Sequence, residues 1–239
     1  MSFEKKETWM LANATGMSTA KGLWIALCNP DIYFTNGSLH SLLQHLKLIR
    51  RPTIIGCRLL SENGGDINPM RSLNLQYIFF VSSHRMIGTW IDRKILRRFF
   101  EKRFIVPVHN TCTVGHINAS FMAFPKSLTY LWNIKYRWAV ADSDFVRRAS
   151  SVGIDQILLY EVKLYHEGEY SKKRSSRPLY DFEYAFGYSL YAKTWGIHGL
   201  HFLFTLDAIF APVLSTLAGQ DSIFNQIKCS AAKIQGLLR

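Results

Sequence analysis

The first sixty residues alternate between helix-like and strand-like segments, and this alternation limits the possible folds more than any other feature. Residues 22–28 are continuously apolar and are closed by Asn29-Pro30-Asp31, which predicts a strand buried on both faces. Residues 53–59 predict a second such strand. Small residues over 12–20 predict a weak helix, and leucines at helical spacing after Ser38, the expected N-cap, predict another. Helix, strand, helix and strand in this order predict an α/β fold.

The chain is strongly basic for a protein of ordinary hydrophobic content. Its 239 residues include 29 Lys and Arg against 17 Asp and Glu, a formal net charge of +12, and 48% of the residues are hydrophobic. This content suffices for a packed core and excludes disordered, collagen-like and disulfide-scaffold proteins. The positive charge predicts an anionic partner, which nucleic acid, a membrane surface or a phosphorylated substrate would each supply. Because no nucleic-acid-binding motif is visible, we expect no nucleic acid partner.

The cysteines and the first residues indicate a reducing compartment. The four cysteines are widely spaced and form no C-x-x-C pair, which predicts buried free thiols and not zinc ligands or disulfides. Met1 to Thr8 is charged, and no apolar run of signal-peptide length follows it. We therefore expect a cytoplasmic protein.

Two segments bear on membrane association. Residues 91–104 place apolar side chains on one helical face and Arg and Lys on the rest, which fits either a helix at an anionic bilayer or an ordinary surface helix. Residues 195–219 are long enough to span a bilayer, but His198, His201, Asp207 and Pro212 interrupt them. We therefore expect a buried or interfacial helical hairpin there, within a helical carboxyl-terminal region over residues 171–239.

Two candidate metal ligands stand at strand ends. Asp31 directly follows the first predicted strand, and the ligand crevice of an open α/β sheet lies outside the carboxyl ends of its strands. A carboxylate there suits Mg²⁺ or Mn²⁺ bound to nucleotide phosphates, and a simple turn after Pro30 also accounts for it. His166 follows the strand-like residues 156–165, where a histidine can ligate a metal, contact a phosphate or be purely structural.

A pair of carboxylates, Asp142 and Asp144, precedes Arg148 and a glycine turn. A carboxylate in a cleft can act as general base for an attacking hydroxyl group. A second one can stabilise the first turn of a helix. The same residues also fit a plain helix N-cap at Asp142 or Ser143. The residues alone leave both interpretations open.

Taken in order, these features resemble the inverting family-2 glycosyltransferases of GT-A fold, in particular the rhamnosyltransferase-like group that builds bacterial surface polysaccharides such as O antigen. Residues 13–22 are similar to the family's Asn-x-x-Gly-x-x-x-Ala-x-Gly helix, and Asn29-Pro30-Asp31 to its metal-binding Asn-Pro-Asp. Residues 142–148 are similar to its Asp-x-Asp-Leu-x-x-Arg segment, and Tyr165-His166 to its later histidine.

The resemblance implies a partial GT-A domain and a nucleotide-sugar donor. Residues 1–170 would form a partial GT-A domain, a Rossmann-like mixed sheet with flanking helices. Asp31 would hold Mg²⁺ or Mn²⁺ on the diphosphate of a nucleotide-sugar donor, with His166 as a further ligand. Asn29 would support this metal site.

The resemblance also implies a base and an acceptor. Asp142 would deprotonate the acceptor hydroxyl as it attacks the anomeric carbon, and Asp144 and Arg148 would order the segment that carries this base. The acceptor would be a lipid-linked glycan, which places the protein at the inner face of the cytoplasmic membrane as a peripheral protein.

The chain departs from the family at three places. Ala141 stands where the family usually has glutamate, and the family's Gly-Gly-Phe-Asp-Glu segment has no clear counterpart in residues 127–141. The family's first strands, with their nucleotide-contacting aspartate, are also without a counterpart. We therefore expect an incomplete sheet with an exposed edge. The alternative function is a catalytically inactive remnant that binds only a membrane or a partner protein.

Overall fold

The computed structural model describes residues 8–61, 63–66, 70–71, 105–106, 109–167, 177–197 and 223–238, with 199, 202, 205–206 and 209–210. The chain forms two compact units. The first comprises Met1–Ser72, Val106–Arg137 and Ala141–Ser171, and the second comprises Leu73–Ile105, Trp138–Val140 and Lys172–Arg239.

The described residues of the two units form five α-helices, one 3₁₀-helix and eight strands. The α-helices are α1 (Trp9–Thr19), α2 (Ser38–Leu48), α3 (Ala141–Ser151), α4 (Arg177–Trp195) and α5 (Ile223–Leu238), and Lys126–Leu131 is a 3₁₀-helix. The strands are β1 (Trp24–Cys28), β2 (Ile32–Phe34), β3 (Thr53–Leu60), β4 (Met70–Arg71), β5 (Ile105–Val106), β6 (Cys112–Thr113), β7 (Phe121–Pro125) and β8 (Asp155–His166).

Six strands of the first unit form one mixed sheet. Its order is β1-β7-β3-β8-β2, and β6 also pairs with β8. Strands β3 and β8 are parallel, whereas β7 is antiparallel to both β1 and β3, and β2 is antiparallel to β8. Strands β1, β3 and β8 therefore run in one direction, and their carboxyl ends lie at the same end of the sheet. The predicted α/β class, with a mixed sheet and flanking helices, is confirmed.

Helices cover the two faces of this sheet because successive strand side chains point to opposite faces. On one face, Leu42 of α2 packs in a buried cluster with Ile55 and Phe121. On the other face, Phe124 of β7 contacts Phe145 of α3, with ring centroids 4.7 Å apart. The central strand β3 is buried on both faces, as its uninterrupted apolar sequence predicted.

Strand β1 differs from its prediction because it lies at the edge of the sheet. Its burial alternates, with Ile25 and Leu27 buried and Ala26 and Cys28 exposed. Within the described residues its one strand neighbour is β7. The prediction that this strand is buried on both faces is therefore wrong, whereas the predicted exposed edge is observed in the described part of the chain.

Two local predictions also need correction. Helix α2 begins at Ser38, and its N-cap is Gly37, whose φ of 79° suits glycine; Ser38 Oγ instead donates to the Thr35 carbonyl at 2.8 Å. All four cysteines are free, but only Cys57 and Cys229 are buried, and Cys28 is exposed because it lies on the edge strand.

In the second unit, the described residues 177–197 and 223–238 are mainly helical, as predicted for the carboxyl-terminal region. Helices α4 and α5 approach closely at Gly236, where an added Cβ would lie 2.6 Å from the Phe182 carbonyl oxygen and 2.9 Å from the Phe186 nitrogen. The predicted basic helix over 91–104 lies outside the described residues, as does most of the predicted hairpin over 195–219.

In the described part of the chain, the structure contains no helix with both the length and the apolar character that crossing a membrane requires.

Candidate functional site

Asp31 and His166 lie side by side at the carboxyl ends of β1 and β8. After β1 the chain turns through Asn29, Pro30 and Asp31 into β2, which pairs with β8 so that Ile32 lies opposite His166. The Glu167 backbone nitrogen donates to the Asp31 carbonyl at 3.1 Å, which continues this pairing by one residue. As a result, Asp31 Oδ2 lies 3.3 Å from His166 Nε2, and both side chains are 13% exposed.

This pair fits part of a metal site. Neighbouring ligands of an octahedral ion, each bonded at about 2.1 Å, lie about 3.0 Å apart, which is close to the observed separation of the two side-chain atoms. His166 Nδ1 is buried and has no hydrogen-bond partner among the described residues. Within that part of the chain, the polar contact of the imidazole ring is therefore made by Nε2 with Asp31. Within the same residues, no group of three or more His, Cys, Asp and Glu side chains could hold an ion. Mg²⁺ sites of nucleotide enzymes commonly combine one or two protein ligands with substrate phosphates and water.

Asp142 lies in the first turn of α3, and its carboxylate is held on both oxygens. Oδ1 accepts a hydrogen bond from the Ser143 backbone nitrogen at 2.8 Å, and Oδ2 accepts one from the Ala119 backbone nitrogen at 3.3 Å. The carboxylate is 22% exposed. Because α3 begins at Ala141, the plain N-cap interpretation of Asp142 and Ser143 is wrong. An oriented, partly exposed carboxylate is suited to general-base chemistry.

His116 is a neighbour of Asp142 that the sequence did not reveal. Its Nε2 lies 4.0 Å from Asp142 Oδ2, and its side chain is 14% exposed. His116 belongs to the segment between β6 and β7, which also carries Ala119. This segment is anchored by Ile117, which packs directly on Gly56 of β3. No spacing pattern in the sequence marks His116, since the contact depends entirely on this tertiary packing.

Asp144 and Arg148 form an ion pair within α3. Arg148 Nε lies 2.6 Å from Asp144 Oδ2, and the Asp144 side chain is fully buried. Asp144 therefore cannot contact a substrate directly. The i,i+4 spacing of the pair joins the first and second turns of α3, where it can order the segment that carries Asp142.

Asn29 connects the two groups of side chains through its backbone. The Asn29 nitrogen donates to the Ser120 carbonyl at 2.9 Å, and the Asn29 carbonyl accepts from the Ile32 nitrogen at 3.2 Å. The residue before Ser120 is Ala119, which donates to Asp142. Residues 119–120 thus bond to the Asn-Pro-Asp turn on one side and to the α3 carboxylate on the other.

The Asp31 carboxylate also affects a thiol. Burial, and secondarily the negative charge of Asp31, raise the pKa of Cys28. A raised pKa keeps a thiol protonated at neutral pH, and a protonated thiol is a poor nucleophile. The shift disfavours the thiolate of Cys28, which is the nucleophilic form of a cysteine.

A separate cavity of about 270 Å³ lies between one face of α1 and strand β1. Asn13 and Gly16, two residues of the helical motif in residues 13–22, line it together with Trp24 and Ala26. Asn13 Nδ2 donates to the Trp9 carbonyl at 2.8 Å, so this part of the amide is already engaged within α1. The cavity is slightly smaller than most small-molecule pockets, which start at about 300 Å³.

Comparison with known proteins finds no family model that matches the chain and no curated protein that matches it.

Proposed function

We propose that the chain is an inverting, metal-assisted glycosyltransferase. It would transfer a sugar from a nucleotide-sugar donor to a lipid-linked glycan acceptor at the inner face of the cytoplasmic membrane. The observation that carries the proposal is that backbone hydrogen bonds of residues 119–120 connect two groups of candidate side chains. One group pairs Asp31 with His166, and the other fixes Asp142.

Asp31 and His166 would bind Mg²⁺ or Mn²⁺ together with the donor diphosphate. When bound, such an ion stabilises the negative charge of a diphosphate leaving group. One carboxylate oxygen and one imidazole nitrogen favour the softer Mn²⁺ over Mg²⁺, which prefers oxygen ligands alone.

Asp142 would accept the proton of the acceptor hydroxyl. Its two backbone hydrogen bonds hold the carboxylate in one orientation. His116 Nε2 lies 4.0 Å from Oδ2, so its ring borders the position that an acceptor hydroxyl would take. Asp144 and Arg148 would keep the first turn of α3 in place.

Binding is the first test. Mn²⁺ is titrated into the protein with a panel of nucleoside diphosphates and followed by electron paramagnetic resonance and calorimetry. We expect ternary binding by the wild type and at least about tenfold weaker binding by Asp31→Asn, since the loss of a group that merely supports a metal ligand already costs about one to two orders of magnitude and Asp31 would contact the ion itself. Asp66→Asn is the matched control, because Asp66 pairs with Arg58 and not with His166. Equal binding by Asp31→Asn and the wild type would remove Asp31 from the site.

Transfer is the second test. Labelled nucleotide sugars are incubated with the protein and a bacterial lipid extract, and labelled lipid product is measured. Asp142→Asn should lower kcat by about 10²–10⁴-fold with little change in donor affinity. Asp155→Asn, at an exposed carboxylate that begins β8, should retain full activity. Unchanged kcat in Asp142→Asn would exclude Asp142 as the base.

A second candidate function is binding without catalysis, as expected for an inactive remnant, and the edge of the sheet favours it. The backbone groups of Leu23 and Asn29 form hydrogen bonds with the residues that flank β7. Because alternate residues of a strand direct their backbone groups to opposite sides, those of Trp24, Ala26 and Cys28 point away from β7, toward the open edge of the sheet. Among the described residues, no strand pairs with these groups, and an open edge is a site where another chain can add a strand. Failure of the wild type to bind any Mn²⁺–nucleoside diphosphate pair would favour this function over transfer.

A further inference from the structure

Helix α5 uses one face to pack within the second unit. Cys229 and Leu237 on this face are 2% and 9% exposed. Gly236, on the same face, allows the α5 backbone to approach Phe182 and Phe186 of α4. This face of α5 is therefore committed to the interior of the unit.

The opposite face of α5 is apolar and exposed. Its members share a spacing of alternately three and four residues, which places them within about 80° of helical arc. We call them the α5 stripe: Phe224, Ile227, Ala231, Ile234 and Leu238. Phe224 and Leu238 at its two ends are 75% and 81% exposed. Five neighbouring apolar side chains on one helix face are more than the scattered exposed residues of an ordinary surface and indicate an interaction site.

The charge of the second unit indicates which partner covers this stripe. The unit contains 15 Lys and Arg against six Asp and Glu, a net charge of +9 out of +12 for the whole chain. Helix α5 contains no acidic residue, and of its two lysines Lys228 is exposed beside the stripe, whereas Lys233 is buried on the opposite face. A second copy of so basic a unit would be repelled, whereas an anionic bilayer would attract it by about 1 kcal/mol for each Lys or Arg near the surface.

We propose that the α5 stripe docks the protein on an anionic lipid bilayer. Apolar side chains on one helix face and basic charge around them are the two features of helices that lie in a bilayer interface. Three more large apolar side chains of the same unit, Phe202, Ile209 and Phe210, are 65%, 54% and 48% exposed. This inference does not depend on the glycosyltransferase proposal, because it concerns a surface of the second unit alone.

Vesicle flotation tests the proposal with the full chain. The protein is mixed with vesicles of phosphatidylcholine alone or of phosphatidylcholine and phosphatidylglycerol, at low and high salt. We expect binding to the anionic vesicles that decreases with salt, since surface charge is screened. Ile227→Glu and Ile234→Glu should each weaken binding by about tenfold or more, because a carboxylate replaces an apolar side chain that would enter the interface. Circular dichroism verifies that each variant is folded, which is expected because both positions are exposed.

Ile134→Glu is the matched control. Ile134 is 61% exposed and belongs to the first unit, so the same substitution changes the charge equally without touching the stripe. Equal vesicle binding by Ile227→Glu, Ile134→Glu and the wild type would overturn the proposal. It would also be overturned by absence of wild-type binding to anionic vesicles. A wild-type dimer that Ile227→Glu converts to a monomer in sedimentation would assign the stripe to a second copy instead. Binding of vesicles by a protein without nucleotide affinity would leave this inference standing while removing the glycosyltransferase proposal.

Discussion

Replacing Gly56 by alanine should destabilise the first unit and disturb the segment that holds Asp142. Gly56 lies in the central strand β3, where an added Cβ would lie 2.8 Å from Ile117 Cγ2, 3.2 Å from Cγ1 and 3.3 Å from Cδ1. Ile117 is 2% exposed and cannot swing into solvent. Because Ile117 anchors the segment between β6 and β7, any shift of this side chain moves His116 and Ala119 as well.

The size of the effect follows from these distances. Carbon atoms in protein cores are normally about 3.5–4.0 Å apart, so Ile117 Cγ2 must retreat by about 0.7 Å or more. Forcing one extra methyl group into a packed core costs about 1–3 kcal/mol. We therefore expect Gly56→Ala to lower the free energy of unfolding by about 2 kcal/mol.

A double-mutant cycle separates this clash from other causes. Ile117→Ala removes the three side-chain atoms that the new methyl group would meet, at its own cost of about 2–4 kcal/mol. In that background, Gly56→Ala should be neutral or stabilising, which gives a coupling energy of about 2 kcal/mol. Urea unfolding followed by tryptophan fluorescence and circular dichroism measures each variant.

Gly16→Ala is the control for the substitution itself. Beyond the local backbone of α1, no atom lies within 4 Å of a Cβ built on Gly16, which is in the middle of this helix. We expect this variant to be more stable than the wild type by about 0.5–1 kcal/mol, the helix preference of alanine over glycine. The reasoning is refuted if Gly56→Ala is as stable as the wild type. It is also refuted if the variant loses the same stability with and without Ile117, since the strand backbone would then be the cause.

Three more predictions concern single contacts, each measured by urea unfolding. Asp144→Asn should lower the free energy of unfolding by about 3 kcal/mol, because Asp144 is fully buried against Arg148, and a loss below 1 kcal/mol would contradict this. The hydrogen bond from Thr111 lowers the pKa of Glu161. The contact therefore stabilises the fold at pH values above 4.5, the ordinary pKa of the carboxyl group, and this stabilisation is lost as the pH falls and the carboxylate is protonated. Glu161→Gln should therefore lower the free energy of unfolding by less than about 1 kcal/mol at neutral pH, since the side chain is half exposed, and should have no effect in acid. An equal loss of stability at both pH values would show that the negative charge of Glu161 is not the cause. Gly236→Ala should cost about 2 kcal/mol or more, because its Cβ would meet the α4 backbone at 2.6 Å, and a neutral result would mean that α4 and α5 are not tightly packed.

Much of the first unit could be predicted because local patterns and tertiary packing agree there. The uninterrupted apolar residues 53–59 predicted a strand buried on both faces, and β3 is the central strand of the sheet. The leucine spacing after Ser38 predicted α2, but the cap at Gly37 was missed because it depends on a backbone angle and not on a side chain. Strand β1 has the same apolar character as β3 and was predicted to be equally buried. Its burial differs because it stands at an edge, and position within a sheet is not encoded in the strand's own residues.

The candidate site was also predicted only in part from the sequence. The position of Asp31 after a predicted strand predicted that it lies at the carboxyl end of the sheet, and the resemblance singled out His166 and Asp142. The sequence could not show that Asp144 is fully buried or that His116 approaches Asp142, because each depends on contacts between distant segments.

The sequence by itself determined the α/β class, the succession of α1, β1, α2 and β3 without the short strand β2, the chemistry of the candidate residues and the strong positive charge. These follow from side-chain periodicity and from residue type, which are local properties. Only the tertiary structure decided that Asp31 Oδ2 and His166 Nε2 are 3.3 Å apart, that residues 119–120 bond to both parts of the site and that the α5 stripe faces outward. Each of these depends on strand pairing or helix packing between residues far apart in the chain, and no local pattern records such a contact.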